Sequence, residues 1–103
     1  MMHHNLLWYF NAMKEQQPTI SVNPSSIGLN YDNRDASIAL YSNGSWVVDS
    51  KPDWLNVTPS SGSGNATVYI TFTGKPSFLY EGTVVFRNST VTASVYVMYD
   101  PLL

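Results

Sequence analysis

From Thr19 onward, apolar and polar residues alternate with a period of two, and Gly, Pro, Asn or Ser interrupts the alternation about every eight to twelve residues. A strand turns successive side chains to opposite faces, so this pattern describes strands with one face toward a core and one toward water. Ile20 and Val22 fit a first short strand, and Pro24-Ser25-Ser26 breaks it before Ile27, Leu29 and Tyr31 take up the alternation again. Ala36 to Tyr41 follows with Ile38 and Leu40 inward, and the Asn43-Gly44 turn signal leads into a strand carrying Trp46 and Val48. Trp54 to Thr58 reads as a short strand, and 60–65 (Ser-Ser-Gly-Ser-Gly-Asn) reads as a loop. Val68, Ile70 and Phe72 then alternate inward. Gly82 to Asn88 and Thr90 to Met98 make a final pair around Ser89, with Val84 and Phe86 on one face of the first and Val91, Ala93, Val95 and Val97 on one face of the second. About seven or eight short strands with no helical pattern among them predict an all-β, two-sheet sandwich.

The chain has 103 residues, enough for one domain and too few for two. It has no cysteine, so the core must hold the fold without disulfides. Charged residues make up 12% and the net charge is −2, which gives no electrostatic footprint for a nucleic-acid backbone or an anionic membrane. Neither nucleic acid nor membrane is expected as a partner. The apolar run from Leu6 to Phe10 is far shorter than the ~20 residues that cross a bilayer. No basic region precedes that run, so with Met1 at the start no export signal is expected.

Residues 1–18 differ in character from the rest: an aromatic and aliphatic cluster, a polar run, then Pro18. Leu6, Leu7, Trp8, Tyr9 and Phe10 suit burial better than water, so the segment reads as a docking arm ahead of a sandwich at 19–100. A frayed terminus is the plainer alternative.

The run Ser45-Trp46-Val47-Val48, then Asp53-Trp54-Leu55-Asn56-Val57-Thr58-Pro59, then Ser61-Gly62-Ser63-Gly64-Asn65, then Val68-Tyr69-Ile70-Thr71 resembles the BACON domain, the Bacteroidetes-associated carbohydrate-binding module that is often N-terminal. Two tryptophans, a Thr-Pro step and a Ser-Gly-x-Gly loop occur in the family's order, and the resemblance covers 19–98. It implies an immunoglobulin-like β-sandwich from gut Bacteroidetes or their phages. A copy standing alone behind an arm resembles a structural protein of a Bacteroidetes-infecting, crAss-like phage. The resemblance therefore implies an auxiliary protein on the outer surface of the virion, docked on the capsid or another virion protein through the arm. The alternative it implies is an extracellular or cell-surface module for mucin or bacterial surface glycans.

Catalysis is hard to assemble from these residues. His3 and His4 both lie in the arm without partners of metal-ligand spacing, and the acids Asp32, Asp35, Asp49, Asp53 and Glu81 fall in turns or at strand ends. No enzyme activity, cofactor or metal is expected. Sugar binding needs exposed aromatic faces beside hydrogen-bonding groups, because a pyranose presents an apolar face rimmed by hydroxyls. Tyr41, Tyr69 and Tyr96 fall on the outward side of their strands and are the candidate contact surface, with Trp54 beside them. Trp46 and Trp54 also fit the core. Four Asn-x-Ser/Thr sequons, at Asn43, Asn56, Asn65 and Asn88, read as turns leading into Thr-rich strands.

Overall fold

The structure is a computed structural model that describes residues 17–103. The chain runs through β1 (Ile20–Asn23), β2 (Ser26–Leu29), β3 (Asp35–Ser42), β4 (Ser45–Ser50), β5 (Leu55–Thr58), β6 (Ser61–Ser63), β7 (Ala66–Phe72), β8 (Tyr80–Asn88) and β9 (Val91–Tyr99). These form two sheets, β1-β3-β7-β5 and β2-β9-β8-β4-β6. Every pairing is antiparallel except that of β2 with β9. The predicted all-β sandwich is therefore the fold, with nine strands among the described residues where about seven or eight were expected.

The period-two pattern places the core. Ile38 and Leu40, Val68 and Ile70, Val84 and Phe86, and Val95 and Val97 all point between the sheets and are at most 2% exposed. At roughly 1.5–3 kcal/mol for each large apolar side chain taken from water, these residues and their neighbours supply the driving force that a disulfide-free domain requires.

The added strand is β6, where the sequence reads as a loop. Its three residues are all exposed, so no apolar alternation marks them. They pair with β4, Trp46 lying opposite Gly62, and a Cβ on Gly62 would stand 2.8 Å from Cζ2 of Trp46. The absent side chain lets the strand lie on the indole. Gly64 then adopts a left-handed φ of 76°, and its carbonyl accepts the hydrogen bond donated by Trp46 Nε1 at 3.2 Å. The Ser-Gly-x-Gly signature is thus the lid of a tryptophan that is 1% exposed.

Two boundaries also differ from the sequence reading. Tyr31 does not continue β2, because Asn30 and Asn33 exchange backbone hydrogen bonds and Asn30 Oδ1 accepts from the Asp32 amide, closing a turn that leaves Tyr31 56% exposed. Conversely, β9 runs past Met98 to Tyr99, which is fully buried with its ring stacked 3.7 Å from that of Phe72 and its hydroxyl donating to the Pro76 carbonyl.

Candidate functional site

The strand directions give the sandwich two chemically different ends. One end gathers the start of β1 and the β3–β4, β6–β7 and β8–β9 turns. Asn88, 7% exposed, donates from Nδ2 to the Thr19 carbonyl, Ser42 Oγ and Asn43 Oδ1, at 3.1, 3.1 and 3.0 Å. Three oxygen acceptors around one nitrogen fix which way the amide points. Asn43 Oδ1 accepts from the Thr19 amide and Nδ2 donates to the Gln17 carbonyl, while Asn65 Oδ1 accepts from the Ser42 amide. Three of the four sequon asparagines are therefore built into this bracket, which holds the chain where it enters the domain. The arm residues Leu6, Leu7, Trp8, Tyr9 and Phe10 lie outside the described residues, of which Gln17 and Thr19 are held at this polar end.

The opposite end is apolar. Beneath it Trp54, Phe72, Tyr80 and Tyr99 form one aromatic cluster, with Trp54 and Tyr80 centroids 5.1 Å apart. Trp54 is half-buried against Pro52 and the backbone of Gly82, so this proposed contact residue belongs chiefly to the core.

The outward tyrosines divide between the two sheets. Tyr41 and Tyr69 are 47% and 56% exposed on the outer face of β1-β3-β7-β5, whereas Tyr96, 38% exposed, is on the other sheet. They do not form one platform. On the first sheet, Tyr69 stands between Ser37 and Thr58 across the strands, and Tyr41 stands beside Ser21. The two tyrosines are four residues out of register, about 14 Å along the strands. Between them lie Asn23, Ala39 and Thr67, whose short side chains leave a shallow strip. Tyr41 borders a cleft of about 310 Å³ with Ser21, Asn43 and Asn65, and Tyr69 borders one of about 540 Å³ with Asp35, Ser37 and Thr71. The outward positions of these four strands are hydroxyls, amides, two phenols, one alanine and the single carboxylate of Asp35, with no cation. This composition suits neutral, hydroxyl-rich chemistry.

Tyr96 is differently occupied. Its hydroxyl donates to Glu81 Oε1, and that hydrogen bond, with lesser help from desolvation and from the carboxylate's charge, raises the phenol above its ordinary range. Asp49 pairs with Arg87 at 2.9 Å on the surface, and Asp100 accepts from the Leu102 amide. Among the described residues no three His, Asp or Glu side chains gather as a metal site would require, and no helix is long and apolar enough to cross a membrane.

Among solved structures, the fold is similar to part of a Bacteroides ovatus GH5 xyloglucanase in complex with a XXXG heptasaccharide, with a TM-score of 0.68, 16% identity, and 81% of this chain covered against 19% of that one. The periplasmic chaperone SfaE and the YadV chaperone are similar with a TM-score of 0.55 and 14% identity each, covering 81% and 80% of this chain and 58% and 51% of theirs. At these identities the likeness is one of fold, and it is to immunoglobulin-like sandwiches. No curated protein sequence matches. The viral BACON domain matches residues 19–98, the span that carries Trp46 with its glycine lid, Trp54 and both sheets of the sandwich, and this chain belongs to that family.

Proposed function

We propose that this chain is a non-catalytic accessory protein of a phage particle, anchored to the capsid or another virion protein through its aromatic arm, and that it presents the outer face of β1-β3-β7-β5 to glycans. The observation that carries the reading is the pairing of Tyr41 and Tyr69 on a cation-free face of hydroxyls and amides. Phenol rings supply apolar surface for the faces of sugar rings, and Ser21, Ser37, Asn65 and Thr71 supply partners for their hydroxyls. A site this shallow binds weakly in single copies and gains from repetition on a particle. Membership of a viral family supports the setting, and the polar bracket at Thr19 supports an arm that leaves from one end of the domain.

Native electrophoresis through gels containing porcine gastric mucin tests the contact surface. The full chain should be retarded relative to mucin-free gels, and the Y41A/Y69A double variant should run unretarded. Equal retardation of both proteins would remove the tyrosine face from the reading. Deletion of residues 1–17 should abolish co-sedimentation with phage particles, and retention of that binding would remove the arm.

A further inference from the structure

The apolar end of the sandwich bears surface that neither the core nor the glycan-facing sheet uses. Of the nine large apolar side chains exposed among the described residues, five are here: Tyr31, Phe78, Leu79, Leu102 and Leu103, between 56% and 92% exposed. Tyr31, Leu79 and Leu102 line one cleft of about 590 Å³ with Pro76 and Pro101, and Phe78 and Leu103 adjoin them in the chain. The cleft has a firm floor. The Tyr99 hydroxyl holds the Pro76 carbonyl at 2.8 Å, Tyr80 accepts from the Lys75 amide at 2.9 Å, and Arg34 lies 4.7 Å over the Tyr31 ring.

We propose that this end is the self-association surface of the protein, on which a second copy docks end to end about a two-fold axis. Area is the first argument. Two half-exposed aromatic rings and three exposed leucines offer on the order of 500 Å² of apolar surface. A standard interface takes ~800 Å² from each partner, and in homodimers ~65% of it is apolar, which is again about 500 Å². A patch of this size lies at the upper end of what monomers expose.

Charge is the second argument. The loops bordering the cleft, 30–34, 73–79 and 100–103, carry Arg34 and Lys75 against Asp32 and Asp100. Their side-chain charges cancel, so two copies can meet at this rim without net side-chain repulsion.

The arrangement has a consequence for display. Because the chain enters at the opposite end, an end-to-end dimer places its two Thr19 entry points at the far tips, on the order of 60 Å apart for strands of this length. It doubles the number of Tyr41 and Tyr69 faces held by one unit. The surface is independent of the glycan reading.

Sedimentation equilibrium of the full chain across micromolar to millimolar concentration should show the weight-average mass rising from monomer to dimer and stopping there. The L79E variant changes an exposed side chain and should remain monomeric at least tenfold higher in concentration, with an unchanged circular dichroism spectrum. The full-length W8S/F10S variant should dimerise like the wild type. A wild-type mass that stays monomeric, a dimer undisturbed by L79E and equally by Y31S/L102S, or a dimer lost in W8S/F10S would each overturn the proposal. The last result would assign the cleft to the aromatic arm.

Discussion

Replacing Asn88 with alanine removes the donor at the centre of the polar bracket. The amide serves three acceptors, and they differ in what replaces it. Thr19 and Asn43 are exposed, so water takes over there and each loss costs about 0.5 kcal/mol. Ser42 is 8% exposed and water replaces the lost donor there less readily, although its hydroxyl still donates to the Gly44 carbonyl and accepts from the Gly44 amide, so the buried contact accounts for about a further 1 kcal/mol. Asn88→Ala should therefore cost about 2 kcal/mol, or a fall in Tm of roughly 8–16 °C for a domain of this size. Asn88→Asp sharpens the test, because it keeps the shape but replaces the donor with a carboxylate oxygen, an acceptor facing three oxygens. It should be at least as destabilising as alanine at pH 7. Urea titration followed by tryptophan fluorescence measures both, since Trp46 is 1% exposed and its uncovering reports loss of the core. A loss below about 0.5 kcal/mol for alanine, or an aspartate variant as stable as wild type, would refute the claim that hydrogen bonding by Asn88 secures the entry of the chain.

Gly62→Ala puts a methyl group 2.8 Å from Trp46 Cζ2, and it should destabilise by about 1–3 kcal/mol through displacement of β6, with a red shift in Trp fluorescence as the indole is uncovered. The phenol of Tyr96 should ionise above its ordinary value of 10, and Glu81→Gln should bring it down; ultraviolet titration of the full chain against Tyr96→Phe reads both shifts. Because the folded phenol is raised, its contribution to stability is present below about pH 10 and lost as pH climbs through the folded value. Removing the surface pair by Arg87→Ala should change stability by less than about 1 kcal/mol in chemical denaturation, because both partners are more than two-fifths exposed.

The inward or outward direction of nearly every strand residue was legible because burial on one face forces alternation, and Ile38, Val68 and Phe86 each occupy the side their spacing assigns. The outward direction of Tyr41, Tyr69 and Tyr96 was legible for the same reason. Their distribution was not, since alternation gives a side chain's face within its strand but not the sheet that strand joins. Strand β6 escaped notice because an edge strand of Ser-Gly-Ser buries nothing, and only the contact of Gly62 with Trp46 explains it. The asparagine bracket looked like a set of chance sequons, because it joins residues as far as 69 positions apart. The apolar end was hidden for a related reason: Tyr31, the Phe78-Leu79 pair and the Leu102-Leu103 pair are brought together by three loops with no common sequence period.

The proposed glycan face is tested most directly by presenting the full chain multivalently to a glycan array alongside its Y41A/Y69A and Y96A variants. Binding by wild type and Y96A, with at least tenfold loss in Y41A/Y69A, is the expected pattern. Retained binding in Y41A/Y69A, loss confined to Y96A, or no glycan bound by the wild type would contradict the account.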